Sequence, residues 1–396
     1  MNHVHVCLVS DQTIPNILGI YHFKPTRILF ITTRDMEKKG KTDAIIHTLR
    51  MMELDYSNRH ERIEVLEDSL LDSHQKIEGI MQQFEAAEFS VNLTTGTKIM
   101  SIATYEFFKD YGSKMIYIPI NKNEFITPFP KKAHVKPESL SLRLSVTQYL
   151  AAYGLNPIKP EKLERYKSEA LERKDLSKWI ACNYKQVKNF LIWIGGILRD
   201  HRDDVQYKLC DNFKDPTTHE IDLIRQLGLL RSEENLSKLM TRSEIRYITG
   251  GWLEEFCFCE LNQLNGKGID DIQLSLTLQN NNGAKNEFDV MFTKDNALYL
   301  VECKTLDQHN LNYRDILYKI GALQQDFGLR VNSFWVTTSL GILKNNELKP
   351  AVRARADQFK TIIITPQNVV GFGDIIAEKL NIKKKGNNEQ LDYHSN

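Results

Sequence analysis

Cysteine is scarce in this chain and not spaced to act as a staple. The six cysteines among 396 residues are Cys7, Cys182, Cys210, Cys257, Cys259 and Cys303, and none forms a Cys-x-x-Cys pair with histidine partners. Neither a structural zinc site nor a disulfide framework is therefore expected. Cys257 and Cys259 sit in an apolar run and read as core thiols. Long hydrophobic runs are missing too: no stretch of 18 apolar residues occurs, and the opening MNHVHVCLVSDQ has no basic segment leading into an apolar one. No membrane span or secretory leader is expected, and the expected location is the cytoplasm. Charge of one sign is not in excess, with 52 Lys and Arg against 51 Asp and Glu. No global basic field advertises nucleic acid, although a local groove can still be basic. The fingerprints G-x-x-x-x-G-K-[ST] and G-x-G-x-x-G are absent, which argues against a P-loop NTPase and a Rossmann dehydrogenase. No internal repeat or low-complexity segment occurs, and the tail from Lys383 to Asn396 is polar and expected to fray.

What is present is ordinary for a globular protein of two or three domains: 41% hydrophobic and 26% charged residues. In the N-terminal third, β-branched segments (HVHVCLV, RILFIT, RIEVL, FSVNLT, MIYIPI) alternate with helical patterns such as DAIIHTLRMMEL, HQKIEGIMQQFEAAE and KIMSIATYEFFKDYG. That order predicts an α/β domain with a parallel sheet covered by helices on both faces. Ligands of such sheets bind beyond the carboxyl ends of the strands. Three loops fall at that edge: Ser10-Asp11-Gln12-Thr13, Thr32-Thr33-Arg34, and Asn92-Leu93-Thr94-Thr95-Gly96-Thr97-Lys98. The last joins a strand to a helix and offers three hydroxyls, a flexible glycine and a lysine in the first helical turn. A cation there is unfavourable unless an anion offsets it, so the loop reads as an anion site. A plain threonine-capped helix start is the structural alternative.

From about Leu140 to Met240 the pattern is mainly helical. Pro157 and Pro160 suggest a linker, and Trp179 and Trp193 read as core anchors. Next comes YITGGWLEEFCFCEL, in which Gly250-Gly251 precedes a helix with Trp252, Leu253, Phe256 and Phe258 on its apolar side. Its first turn carries Glu254 and Glu255, which suit the helix dipole. The most informative stretch follows, FDVMFTKDNALYLVECK. Asp295-Asn296 tolerate positive φ and serve as a two-residue turn. Counting outward, Thr293 faces Leu298, Met291 faces Leu300, and Asp289 faces Glu302, all on one face. Phe292, Tyr299, Val290, Val301, Phe288 and Cys303 take the other. Two carboxylates opposed at about 4.5–5.5 Å between Cβ atoms repel unless something positive lies between them or one is protonated. A divalent cation is the obvious candidate. Lys304 shares the face of Glu302, and an ion pair with Glu287 is a structural alternative for it. A further helix near residues 305–328 and strands SFWVTT and TIIIT complete an α/β core with a mixed sheet.

Both halves resemble a known family. Asn92 to Lys98 looks like the loop of CARF domains, the Rossmann-like sensors of type III CRISPR defence, with Thr95 standing where many relatives have glycine. Asp289, then Glu302-Cys303-Lys304, preceded by Gly251-Trp252-Leu253-Glu254, looks like the PD-(D/E)xK nuclease core, with Phe288 in place of the familiar proline. The combination resembles the CARF-nuclease ancillary effectors. It implies a sensor domain over residues 1–138, a linker and helical segment over 139–245, a restriction-endonuclease-like domain over 246–380 and a tail over 381–396. It also implies metal-dependent hydrolysis of nucleic acid, DNA or RNA, switched on by a cyclic oligoadenylate, usually cyclic tetra-adenylate. Asp289 and Glu302 would hold Mn²⁺ or Mg²⁺, and Lys304 and Glu254 would assist, with Glu255 the alternative to Glu254. A glutamine on the next helix, Gln324 or Gln325, would match one in related nucleases. Ser10, Gln12, Asn92, Thr94, Thr95, Gly96, Thr97 and Lys98 would bind the activator. One loop can cradle only part of a ring, so a homodimer is expected. The competing class, a ligand-responsive regulator without catalysis, leaves the Asp289/Glu302 pairing unexplained, and the middle segment lacks a clear basic recognition helix.

Overall fold

The computed structural model describes residues 2–120, 122–132, 134–231, 235–279, 285–305, 315–318, 320–321 and 327–382. Gln324, Gln325 and the tail from Lys383 lie outside the described residues, as does most of the helix expected near 305–328. Residues 315–318 and 320–321 are helical.

The first sheet has at its centre β1 (His3–Leu8), which is buried along its length from Val4. Around it run β2 (Arg27–Thr32), β3 (His60–Glu64), β4 (Glu88–Asn92) and β5 (Lys114–Tyr117), parallel and in the order β3-β2-β1-β4-β5. Side chains alternate between two apolar layers, as a strand buried on both faces requires. Cys7 packs with α1 (Ile14–Phe23) and α3 (Lys41–Met51), which follows the short α2 (Arg34–Lys38). Val4, Val6 and Leu8 pack with α4 (Leu70–Met81) and α5 (Lys98–Lys109). The sheet also extends beyond the expected parallel core: β6 (Glu124–Phe129) and β7 (Glu138–Ser139) add antiparallel strands. The connection 118–123 is too short for a parallel crossover, so β6 has to turn back.

The middle of the chain contains α6 (Val146–Ala152), α7 (Leu163–Glu172), the long α8 (Lys174–Leu198) and α9 (Thr218–Gln226). It is not mainly helical throughout. A hairpin of β8 (Gln206–Asn212) and β9 (Asn235–Thr241) stands beside α9. Most of its residues are exposed, so it lacks the apolar alternation that marks a strand. Trp179 and Trp193 are half-buried against the core. Cys257 and Cys259 are buried thiols.

The second sheet follows α10 (Arg242–Arg246) and α11 (Trp252–Asn262). It comprises β10 (Asp271–Gln279), β11 (Lys285–Lys294), β12 (Ala297–Lys304), β13 (Val331–Thr337) and, after the small hairpin β14 (Leu343–Lys344) and β15 (Glu347–Leu348), β16 (Thr361–Ile364). The order is β10-β11-β12-β13-β16, antiparallel up to β12 and parallel beyond it. One apolar cluster joins the two sheets. It unites Ile14, Ile17 and Phe125 with Val146, Tyr149 and Leu150 of α6, and continues through Leu276, Phe288, Met291 and Leu300. Among the described residues no helix is long and apolar enough to cross a membrane.

Candidate functional site

At the tip of the β11–β12 hairpin, Asp295 and Asn296 have φ of 52° and 58°. The rungs run Lys294–Ala297, Thr293–Leu298, Met291–Leu300 and Val290–Val301. At the next position a side chain takes over from the backbone: the Cys303 N–H donates to Asp289 Oδ2 at 2.6 Å. Asp289 and Glu302 are both buried, at 9% and 7% exposure. The positive charge between them is Lys304, whose Nζ lies 2.8 Å from Glu302 Oε1 and 3.6 Å from Asp289 Oδ2. Its ion pairs are with these two carboxylates rather than with Glu287, so the alternative Glu287–Lys304 pair does not form. Burial pulls the Lys304 ammonium down, but Asp289 and Glu302 outweigh it and hold the group above its ordinary range.

Phe288 departs from the expected alternation. It packs on Phe327, with ring centroids 5.6 Å apart, in the layer of Met291 and Leu300, whereas Val290 and Phe292 line the opposite layer. The cause lies on β10. Between the Leu274–Val290 and Leu276–Phe288 rungs, Ser275 takes a left-handed φ of 53°, and the alternation of faces breaks there. Asp289 therefore sits at a twist in the sheet.

The helix α11 brings the third carboxylate. A π-helical turn, Tyr247–Gly251, precedes it, with Gly250 at φ 139°. A Cβ at Gly250 would meet Thr305 Oγ1 at 3.0 Å, so glycine lets this turn approach the chain just beyond Lys304. Of the two acidic residues in the first turn, Glu255 is held by Arg173, at 2.5 Å to Oε1 and 2.9 Å to Oε2. Glu254 faces the hairpin. Burial, and after it the Asp289 carboxylate, push Glu254 well above the usual carboxylate range, while Lys304 opposes them. Among the described residues no group of three or more His, Cys, Asp or Glu is gathered tightly enough to hold an ion by itself. The all-oxygen pair Asp289/Glu302 nevertheless fits Mg²⁺ or Mn²⁺, which bind through one or two carboxylates and keep waters and substrate phosphates as their other ligands.

At the first sheet, the loop after β4 sits at the carboxyl edge. Gly96 has φ +82°, and a Cβ there would lie 2.9 Å from Leu8 Cβ. Thr97 caps α5, accepting from the Met100 N–H at 3.2 Å, and its hydroxyl donates to the Glu67 carbonyl at 2.7 Å. Lys98 is exposed. Asn92 and Thr95 are buried and engaged internally. Asn92 Nδ2 donates to the Pro15 carbonyl at 3.1 Å and to Asn16 Oδ1 at 3.0 Å. The Thr95 hydroxyl donates to the Leu8 carbonyl. Thr94 Oγ1 accepts from the Ile118 N–H at 2.8 Å. Ser10 Oγ accepts from the Gln12 N–H at 3.1 Å, and Gln12 Oε1 accepts from Tyr153 and from the Leu329 N–H, both at 3.3 Å. These side chains shape the loops, leaving Gly96, Thr97 and Lys98 outermost. Asn16 was not among the expected residues. Its signal was an asparagine inside the otherwise apolar helix start IPNIL.

Residues 4–149 match the family described as the Card1 CARF domain, and residues 241–382 match the Card1-like endonuclease domain. The chain joins a CARF domain to a Card1-like endonuclease domain. Asp289, Glu302, Lys304 and Glu254 all fall in the endonuclease match, and Ser10, Gln12 and Asn92 to Lys98 fall in the CARF match. No curated protein matches the chain in sequence. Among solved structures, Can2 from Sulfobacillus thermosulfidooxidans in complex with cyclic tetra-adenylate superposes with a TM-score of 0.74 at 22% identity, covering 96% of this chain and 99% of that one. Protein VC1899 from Vibrio cholerae gives a TM-score of 0.78 at 16% identity, covering 96% and 98%. At these identities the likeness is one of fold, and it extends through the middle segment that neither family match covers.

Proposed function

We propose that this protein is a cytoplasmic, metal-dependent endonuclease of type III CRISPR defence, switched on by cyclic tetra-adenylate and cutting single-stranded DNA or RNA, with nicking of duplex DNA a further outcome. The observation that carries the reading is the convergence of Asp289, Glu302 and Lys304 at the open end of one hairpin in an endonuclease domain. Two buried carboxylates so close together need positive charge, which Lys304 supplies in part, and they offer a divalent ion an all-oxygen pair of ligands. A bound Mn²⁺ or Mg²⁺ would lower the pKa of its water and draw charge from the phosphoryl oxygens. Asp289 and Glu302 would hold that ion. Glu254, beside them, would orient the attacking water. Lys304 donates to the scissile phosphate as negative charge develops there.

The activator's phosphates dock on the backbone N–H groups at Gly96 and Thr97 and on Lys98, where the α5 dipole favours an anion. Ser10 and Gln12 border the same edge, while Thr94, Thr95 and Asn92 fix the loop's shape. Support for cyclic tetra-adenylate comes from the ligand of Can2 and from the CARF match. A ring of even symmetry fits on a two-fold axis between two loops. Leu66 before α4, Leu70 and Leu71 in its first turn and Ile102 on α5 are exposed apolar side chains that such a pairing could cover.

The test incubates full-length protein with labelled single- and double-stranded DNA and RNA, with and without cyclic tetra-adenylate and Mn²⁺, and with EDTA as control. Cleavage that needs both the activator and the metal is expected. A protein that cuts equally well in EDTA, or cuts nothing under any condition, refutes the reading.

A further inference from the structure

We propose that Asn123 is a positioning residue that couples the ligand loop to the catalytic hairpin by clasping the hairpin's turn. The inference rests on the reading above that the hairpin is catalytic and the loop binds the activator. Asn123 closes the connection between β5 and β6. Its Nδ2 donates to Asp295 Oδ1 at 3.1 Å, and its Oδ1 accepts from Asn296 Nδ2 at 2.9 Å. Asn296 is fully buried. Its Nδ2 also donates to the Leu142 carbonyl at 2.9 Å, and its Oδ1 accepts from the Leu144 N–H at 2.8 Å. Both donors of this amide are therefore used, and its oxygen is matched as well. On the first sheet, Thr94 Oγ1 accepts from the Ile118 N–H at 2.8 Å, and Ile118 is only five residues ahead of Asn123. The loop thus contacts one end of the β5–β6 connection at Ile118, and the tip of β11 and β12 contacts its other end at Asn123.

The chemistry of the clasp argues for more than adhesion. The apolar cluster around α6 already holds the two sheets together, and apolar contact is non-directional, so it tolerates sliding. Burying a polar network costs desolvation, but when fully satisfied it selects one geometry. Here the selected geometry is that of the turn. Six residues of strand carry it about 20 Å to Glu302, and the rungs between Val290–Val301 and Lys294–Ala297 keep the two strands in step. A shift of the β5–β6 connection on ligand binding would reach Asp289, Glu302 and Lys304 as a displacement of the hairpin's open end.

The experiment compares full-length Asn123→Ala with the parent in three measurements: amide hydrogen exchange at Cys303 and Lys304 without ligand, affinity for cyclic tetra-adenylate by calorimetry, and the ratio of Mn²⁺-dependent cleavage with and without activator. Expected are unchanged affinity, faster exchange at Cys303 and Lys304, and a stimulation ratio lowered about tenfold, a common size for coupling between sites. Asp295→Asn keeps an acceptor for Asn123 and tolerates the positive φ, so it should retain the ratio. If Asn123→Ala melts below the assay temperature, Asn123→Ser, whose short side chain reaches neither Asp295 nor Asn296 in the same way, replaces it and should show the same direction of loss. Parent-like exchange together with a parent-like ratio overturns the proposal, and so does a lowered melting temperature with the ratio intact, which makes the clasp mere adhesion. If exchange accelerates but the parent shows no stimulation by cyclic tetra-adenylate, positioning of the hairpin stands and the assignment of the activator falls.

Discussion

Lys304 occupies the place where two buried carboxylates need a positive charge, 2.8 Å from one and 3.6 Å from the other. Its neighbours keep it protonated across the neutral range. Glu302→Gln keeps the shape of the site and removes one of the two carboxylate charges proposed to hold the metal. Lys304→Ala leaves both carboxylates in place and should spare Mn²⁺ binding more than turnover. Both variants should bind activator normally and lose about 10²–10³ in activator-stimulated cleavage, the usual cost of one preorganised electrostatic group. A folded Glu302→Gln protein cutting at the parent rate would take the hairpin out of the active site. At the other sheet, Lys98→Ala removes a charge-assisted contact worth roughly 1.5–3 kcal/mol. Calorimetry should show about a tenfold to hundredfold weaker affinity for cyclic tetra-adenylate, with an unchanged melt because the side chain is exposed. The Asp289, Glu302 and Lys304 grouping was legible because strand alternation and one turn place all three within 16 residues of sequence. Arg173 on Glu255 and Thr95 on Leu8 were not, since those partners stand 82 and 87 residues apart and local pattern carries no record of them.

Elements decide what those side chains can reach. The turn Asp295-Asn296 could be read because Asp and Asn tolerate positive φ between apolar strands. The break in alternation at Ser275 could not, because serine gives no cue to a left-handed φ, and Phe288 was accordingly assigned to the wrong face. The β8–β9 hairpin escaped for the opposite reason: its strands bury so little that their alternation is faint. Gly96 is constrained twice, by φ +82° and by Leu8 Cβ 2.9 Å from where its own Cβ would stand. Gly96→Ala should lower the melting temperature and weaken activator binding together, and an unaffected affinity would detach the loop's shape from recognition. Glu255→Ala tests the other helix. It removes the closer of two carboxylates from Arg173, leaving Glu169 at 3.6 Å, so a destabilisation of about 1.5–3 kcal/mol is expected. Cleavage per folded molecule should stay at the parent level, in contrast with Glu254→Ala, which should retain stability and lose turnover.

At the scale of the whole molecule, both sheets were legible in outline from the order of their apolar segments, but β6, β7 and β10 at their edges were not. Edge strands owe their place to neighbours and to connection length more than to their own composition. The exposed Leu66, Leu70, Leu71 and Ile102 belong to this scale, because a homodimer would be expected to cover some of them. Light scattering should report a dimer, and Leu71→Asp should shift it toward monomer and weaken binding of cyclic tetra-adenylate, as expected if the ring sits between two loops. A parent protein that is monomeric both free and with ligand would refute this. The apolar cluster shared by α6, Phe288, Met291 and Leu300 bears on engineering. A recombinant fragment starting at residue 241 would lay that surface open to water and should aggregate. A chimera carrying a foreign sensor would need matching α6 and 140–146 segments as well as a new ligand loop. Sensor and cutter in this chain are thus inherited, or transplanted, as one piece.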